Sequence, residues 1–233
     1  MVKTFSYLWL SLMIVAGAIT DIHCFGAKLS MNIQQSGFHR TVKYITVFTD
    51  PPEKPCDFHL RQAVPSSAYV SVDQLDDLRR FDRIEYYIES DVDVEGITSK
   101  SSPFNIYLYG DTASLFVIYL PLHLRYHSPG HSSFVKVSLD HPELFVDCHG
   151  HTPHNTTTDD SVLDLKCRKS NGNCKWLKID YESHSEPVTM SVPIGYLDFS
   201  TLVTGVTILV SWIGSYYIAR AISRKAAALK NRL

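Results

Sequence analysis

The amino-acid sequence predicts an all-β body of the antiparallel β-sandwich class, with a cleaved signal peptide before it and one transmembrane helix after it. Many short segments between residues 41 and 192 alternate apolar with polar residues or are rich in β-branched and aromatic residues. Proline and glycine separate these segments, and the 13 tyrosines and 11 phenylalanines favour strands. We therefore divide the chain into a signal peptide (residues 1–24), a β-rich domain (25–196), a transmembrane helix (197–219) and a basic tail (220–233).

The N-terminal apolar run has the character of a secretory signal. Residues 7–19 are uncharged and follow Lys3. Thirteen residues are too few to cross about 30 Å of hydrocarbon, which needs roughly 20. Small residues at positions 16–18 suit a signal peptidase. Cleavage falls between residues 18 and 24, so Cys24 is either retained or removed with the signal.

The C-terminal apolar run is long enough to span a membrane. Residues 199–219 carry no charge, and 21 residues suffice for a crossing. The tail that follows is basic, which by the positive-inside rule places it in the cytoplasm; its cations are Arg220, Arg224, Lys225, Lys230 and Arg232. A GPI-anchor signal is the rival interpretation, but such a signal ends in its hydrophobic tail. The sequence thus favours a single-pass protein whose body lies outside the cytosol.

The body reads as strands with one short helix. Predicted strands cover residues 41–49, 58–64, 68–72, 84–89, 104–109, 114–126, 134–139, 144–148, 162–165, 176–181 and 188–192. Pro121 bends its strand or places it at a sheet edge. Leu75, Leu78 and Phe81 recur at three-residue spacing, which predicts a helix of about two turns capped by Ser71 or Asp73.

Four cysteines lie in the body, where a translocated protein forms disulfides: Cys56, Cys148, Cys167 and Cys174. Three pairings are open. We favour Cys167–Cys174 closing a short loop and Cys56–Cys148 joining distant strands, a choice that the sequence does not decide. Asn155 begins the one N-glycosylation sequon, in a polar turn-rich stretch, and we expect it to carry glycan.

No catalytic, cofactor or metal motif stands out. Asp91 and Asp93 form the D-x-D pattern of metal-dependent sugar transferases, but acidic residues beside Gly96 are equally typical of a turn. A cysteine and three histidines cluster at positions 148, 149, 151 and 154, with a spacing that fits no zinc finger. The body has no basic stripe, so nucleic acid is not an expected partner.

The predicted transmembrane helix carries small and hydroxylated residues along one stripe: Thr204, Thr207, Ser211, Gly214 and Ser215. Such a stripe lets another helix approach closely and form hydrogen bonds across the contact. We expect it to bind a membrane partner. The alternative is that serine and threonine are simply tolerated in a single span.

Three landmarks resemble the phosphatidylinositol-glycan biosynthesis class X (PIG-X) family and its fungal counterpart Pbn1. They are SGFHR at residues 36–40, LPLHLRYH at 120–127 with Pro129, and Cys174-Lys175-Trp176 followed by VPIG at 192–195. The resemblance implies a lumenal body and a non-catalytic subunit of the endoplasmic reticulum GPI mannosyltransferase 1 complex, which adds the first mannose to the anchor precursor. The subunit stabilises a multi-span class M catalytic partner.

Within these landmarks the candidates for partner contact are His39, Arg40, Pro121, His123, Arg125, Tyr126 and His127. Arg125 and Tyr126 also suit a structural role, satisfying buried polar groups at a strand end. Two other functions remain open at this point. One is a cell-surface adhesion or receptor ectodomain, and the other is a transferase that uses Asp93.

Overall fold

The computed structural model describes residues 26–49, 54–112, 115–148, 162–183 and 186–230. The predicted signal peptide, Cys24, the sequon at Asn155 and the loop histidines at positions 149, 151 and 154 lie outside the described residues. The remaining chain is rich in strands, and the all-β prediction is confirmed.

The first sheet has five strands in the order β12-β1-β2-β7-β4. These are β1 (Gly26–Gln34), β2 (His39–Thr49), β4 (Ala68–Tyr69), β7 (Leu115–Leu124) and β12 (Glu182–Ser183). All pairs are antiparallel except β1 with β12, which run parallel through Lys28 and Leu29. Because β4 pairs with β7 only at His123 and Leu124, Pro121 lies at an open edge of the sheet, as the sequence suggests.

The second sheet has six antiparallel strands in the order β10-β11-β9-β3-β6-β5. These are β3 (Asp57–Val64), β5 (Tyr86–Ile88), β6 (Phe104–Asp111), β9 (Glu143–Asp147), β10 (Val162–Lys166) and β11 (Asn173–Ile179). A two-stranded ribbon joins β8 (Phe134–Leu139) with β13 (Val188–Pro193). The ribbon completes the core with Val137, Leu139, Met190 and Val192.

The hydrophobic core lies between the sheets because each strand alternates its side chains. Phe58 and Leu60 of β3 and Tyr44 of β2 are buried there. The ring of Phe58 lies 5.0 Å from the rings of both Phe48 and Phe116 on the first sheet. Tyr44 donates a hydrogen bond from its hydroxyl to Oε1 of Gln62 at 2.8 Å, which satisfies two buried polar groups across the core.

Two helices complete the part of the fold that the structure describes. Helix α1 (Val72–Arg80) begins at Ser71, whose Oγ accepts a hydrogen bond from the backbone of Gln74 at 3.4 Å, and it buries Leu75. Helix α2 (Ser200–Lys230) follows a 3-10 turn at Leu197–Phe199. Within the described chain it is the one helix long and apolar enough to cross a membrane. It extends beyond the predicted end at residue 219, because the basic residues that follow are good helix formers.

Candidate partner-binding site

The first two landmarks meet at one end of the five-stranded sheet. His39 begins β2 and pairs in register with His123, near the end of β7. Their rings lie 4.7 Å apart, edge to face. Tyr69 of β4 stacks on His123 at 5.0 Å, and Nε2 of His123 lies 3.0 Å from Oε1 of Gln74. Burial, followed by the nearby His39, lowers the pKa of His123, which favours its neutral form in this aromatic surface.

Arg125 is buried beneath this surface, with 3% of its area exposed. Its Nη1 donates to the carbonyl of Gly96 at 2.8 Å, and its guanidinium lies 4.8 Å from the centre of the Tyr69 ring. Its backbone N–H donates to the carbonyl of Ser67. Burial lowers the pKa of Arg125. These contacts match the structural role, in which Arg125 holds the loop around Gly96 against β7.

The D-x-D pattern forms the turn that supports Arg125. Oδ1 of Asp93 accepts hydrogen bonds from the backbone N–H groups of Glu95 and Gly96, both at 3.0 Å. A Cβ on Gly96 would press on the side chains of Asp93 and Ser101, so glycine leaves room for this turn. Asp93 therefore has a structural role in the turn through its Oδ1.

Tyr126 and His127 leave the sheet after β7. Tyr126 is 72% exposed, and its ring lies 4.9 Å from that of Phe38 in the turn before β2. Its carbonyl accepts hydrogen bonds from the backbone N–H and the Oγ1 of Thr98. Nδ1 of His127 lies 3.0 Å from the carbonyl oxygen of Arg125. Tyr126 therefore combines a fixed backbone with a ring available for contact.

Arg40 and Pro121 lie beside this end of the sheet but away from the paired histidines. Arg40 donates from Nη1 to the carbonyl of Gln35 at 2.6 Å and lines a groove between β1 and β13. Pro121 pairs with Thr41. The sequence candidates thus separate into an aromatic surface around His39 and His123, the exposed ring of Tyr126 beside Phe38, and a groove that contains Arg40.

A hydrogen-bonded clamp joins the second landmark to the start of the apolar helix. The backbone N–H of Gly130 donates to the carbonyl of Gly195 at 3.0 Å, and the N–H of Leu197 donates to the carbonyl of Gly130 at 2.9 Å. Nδ1 of His131 lies 3.2 Å from Oδ1 of Asp198. The sequence did not predict the contact of Gly130 with Gly195, although the Pro129-Gly130 turn and the VPIG motif were both visible in it. The clamp fixes the sandwich against the residues that enter α2.

Both disulfides lie at the same end of the six-stranded sheet, where β3 and β11 begin and β9 and β10 end. Cys56 is bonded to Cys148 and Cys167 to Cys174. Beside them Arg168 contacts the buried Asp57 at 3.2 Å and Glu85 at 2.6 Å, and Lys169 contacts Asp57 at 3.0 Å. These carboxylates raise the pKa of Arg168 against the opposing effect of burial. Cys148 is not a thiolate, and the described residues contain no group of three or more histidine, cysteine or acidic side chains placed to hold a metal.

The stripe on α2 is exposed along its length, at Thr204, Thr207, Ser211, Gly214 and Ser215. The hydroxyl of Thr207 donates to the carbonyl of Val203 at 2.8 Å, which satisfies it within the helix. No atom outside the helix backbone lies within 4 Å of a Cβ built on Gly214. This face is therefore open to a neighbouring helix.

Together these features define a class: a disulfide-bonded β-sandwich clamped to one candidate membrane-spanning helix. The chain belongs to the PIG-X / PBN1 family, whose family model matches residues 35–223. A rat (Rattus norvegicus) relative named "GPI alpha-1,4-mannosyltransferase I, stabilizing subunit" is 26% identical over 208 residues, which cover 85% of this chain and 82% of the relative. A mouse (Mus musculus) relative of the same name is 26% identical over 216 residues, covering 89% and 85%.

One solved structure resembles the chain weakly. It is the seventh ScaB type I cohesin of Pseudobacteroides cellulosolvens, with 10% identity and a TM-score of 0.28 over 73% of this chain and 93% of the cohesin. At that score it carries no argument about fold or function.

Proposed function

We propose that this chain is the non-catalytic stabilising subunit of the endoplasmic reticulum GPI mannosyltransferase I complex, which adds the first mannose to the GPI-anchor precursor. The observation that carries the proposal is the name of the rat and mouse relatives, which match 85% and 89% of the chain. Membership of the PIG-X / PBN1 family supports it. The names of these relatives do not favour the adhesion or receptor alternative.

The partner is a multi-span catalytic subunit embedded in the same membrane. A protein that binds only the folded form of its partner stabilises that form by mass action. Three surfaces of the chain suit this role: the aromatic surface around His39 and His123, the exposed ring of Tyr126, and the stripe on α2. The clamp between Gly130 and Gly195 supports binding of one partner by the body and α2 together, because it couples the body to the residues that enter the membrane helix.

The body occupies the lumen, the signal peptide is removed, Asn155 carries glycan, and the basic tail from residue 220 stays in the cytoplasm. The two disulfides support this orientation, because such bonds persist in oxidising compartments. The positive residues that follow the apolar run support it as well.

The chain performs no chemistry of its own in this proposal. Support comes from the structural role of Asp93, whose Oδ1 accepts two backbone hydrogen bonds within its turn. Replacing Asp93 with asparagine keeps an oxygen acceptor for the turn, so we expect the variant to support normal mannose transfer.

Deletion of the chain tests the proposal. In deleted cells we expect the level of the catalytic subunit and the surface display of GPI-linked proteins to fall together, and both to return when the full chain is restored. Normal levels of both would overturn the proposal. Surface labelling and glycan trimming add a control, because a resident of the reticulum keeps an immature high-mannose glycan and is not labelled from outside the cell.

A further inference from the structure

A groove of about 430 Å³ separates the end of β1 from β13. Residues 31–33, Gln35 and Arg40 line one wall, and residues 188–191 line the other. The groove forms because β12 pairs only with the start of β1, whereas β13 pairs with β8. The five-stranded sheet and the two-stranded ribbon therefore each present a strand edge to the groove.

The register of β13 determines which backbone groups face the groove. Ile194 donates its N–H to the carbonyl of Ser133, directly opposite it in the continued register of β13 and β8. Antiparallel strands alternate residues that bond to the partner with residues that point away. Met190 and Val192 therefore bond to β8, whereas Thr189 and Ser191 direct their N–H and C=O groups into the groove.

The opposite wall is fixed by the same alternation. Leu124 donates its N–H to the carbonyl of Phe38, so the even-numbered residues of β2 bond to β7 and the odd-numbered ones bond to β1. On β1 the even-numbered residues consequently face β2, and Ile33 directs its N–H and C=O towards the groove. Within the described chain no strand pairs with Thr189, Ser191 or Ile33 on this side.

An open strand edge is a template for another extended segment. Ile33, which packs against the core, and Met190, which is buried in it, form the floor of the groove. Thr189 and Ser191 form a polar exposed rim. A segment that alternates apolar and polar residues would match this surface, with the apolar residues directed to the floor.

Arg40 supplies the charge at the end of the groove. Its Nη1 donates to the carbonyl of Gln35, but its buried Nε has no hydrogen-bond partner. No carboxylate pairs with Arg40 among the described residues. A guanidinium that lines a groove can bind carboxylate oxygens through charge-assisted hydrogen bonds. The groove is therefore complementary to an acidic side chain.

We propose that this groove binds an extended lumenal segment of the catalytic subunit, which adds a strand along β13 and places a carboxylate on Arg40. The inference rests on the proposed function and names the part of this chain that the partner occupies. Electrostatic complementarity at Arg40 selects an acidic segment, and the free backbone groups of Thr189 and Ser191 supply strand pairing.

Site-specific photocrosslinking in microsomes tests the proposal. Full-length chain carries benzoylphenylalanine at Thr189, or at Lys175 on the six-stranded sheet as the matched control, since both positions are exposed. We expect Thr189 to crosslink to the catalytic subunit and Lys175 not to. Crosslinking of Thr189 only to a second copy, or only within its own chain, would overturn the proposal.

The wild-type chain separates this inference from the function itself. If the unmodified chain recovers the catalytic subunit but Thr189 forms no crosslink to it, the groove is wrong and the proposed function stands. If the unmodified chain recovers no catalytic subunit, the proposed function fails.

Two substitution pairs give a quantitative readout. Thr189→Pro removes a groove-facing N–H without breaking the ladder with β8, and Pro193 already occupies an equivalent position; Thr189→Ala is its control. Arg40→Gln removes the charge, and Arg40→Lys retains it. We expect Thr189→Pro and Arg40→Gln each to lower recovery of the catalytic subunit about tenfold, relative to their controls. Recovery within twofold of the controls would contradict the proposal.

Discussion

Gly130 and Gly195 are joined by a backbone hydrogen bond of 3.0 Å between the loop after β7 and the segment that enters α2. Gly130 directly follows the second sequence landmark, and Gly195 ends the third. The sandwich is therefore hydrogen-bonded to the residues that enter the apolar helix, and substitutions at this contact can change how firmly the two are held together.

Gly130→Pro is expected to loosen this clamp, because proline lacks the N–H that donates to Gly195. Loss of one hydrogen bond costs about 1 kcal/mol, or roughly a fivefold change in a local opening equilibrium. Hydrogen exchange of the Leu197 amide should accelerate by about that factor. Gly130→Ala is the matched control, since it keeps the N–H and its Cβ meets only the flexible tip of Ile194 at 3.2 Å. Equal exchange in the two variants would contradict the prediction.

His59 illustrates how burial produces pH dependence. It is fully buried on the outer face of the six-stranded sheet, 4.6 Å from the ring of Trp176 and 4.9 Å from that of Phe145. Neither ring nitrogen has a hydrogen-bond partner. Burial, with a smaller contribution from Arg61, lowers the pKa of His59 to about 3.

The sign of the resulting effect on stability is set by the unfolded chain. Below pH about 6.5, His59 becomes protonated in the unfolded chain but stays neutral in the folded one. The free energy of unfolding therefore falls as the pH falls, until the pKa of the folded state is reached. For His59 alone the slope approaches about 1.4 kcal/mol per pH unit between pH 5.5 and 4.

His59→Phe should reduce this pH dependence and raise stability, because the ring is replaced without losing a hydrogen bond. Urea unfolding of the detergent-solubilised full chain between pH 4 and 7 measures both effects. The wild-type chain provides the reference slope. A variant that loses stability with falling pH as steeply as the wild type would show that another group is responsible.

The two disulfides are expected to contribute unequally. Cys56 and Cys148 are separated by 92 residues, and Cys167 and Cys174 by 7. In the chain-entropy model the longer loop is worth about 4.5 kcal/mol and the shorter about 2.5. Replacing each pair with serine and measuring urea unfolding should therefore show the larger loss for Cys56 and Cys148. The opposite ranking would indicate that strain or residual structure outweighs loop entropy.

The local patterns of the sequence predicted most elements of the fold. The residue pattern of positions 58–64 predicted β3, and Ser71 with the spacing of Leu75 and Leu78 predicted α1. These signals are local, because side-chain periodicity and capping depend on residues a few positions apart.

Long-range contacts could not be predicted in this way. The same alternation that places Phe58 in the core assigns His59 to the outer face, yet the aromatic residues of neighbouring strands bury it. The contact of Phe38 with Tyr126 and the groove at Arg40 depend on strand register and on the departure of β13 from β1. Pairing between distant strands leaves no mark in a single sequence.

The stripe on α2 predicts an effect of added bulk on this face of the helix. Gly214→Leu fills the small-residue face and should weaken recovery of the catalytic subunit several-fold, because a close helix approach is blocked, and adding Ser211→Leu should weaken it further. Gly205→Leu is the matched control for the single substitution: it adds the same side chain about a third of a turn away from the stripe, where space around the residue is equally open. Equal recovery of the subunit by the stripe variant and the control would remove this face from the interface.

Tyr126 and Arg125 are neighbours with opposite expected phenotypes. The ring of Tyr126 is exposed, so Tyr126→Ala should cost less than about 1 kcal/mol of stability while lowering recovery of the catalytic subunit. Arg125 is buried and holds the carbonyl of Gly96, so Arg125→Met should cost about 2–4 kcal/mol. Urea unfolding together with co-purification separates the two effects. Arg125→Met leaves the carbonyl of Gly96 unpaired and loosens its loop against β7, so it acts on the partner through stability. Any loss of partner recovery in Arg125→Met should therefore disappear when the variant is assayed at low temperature. The loss in Tyr126→Ala should persist, because it removes a direct contact.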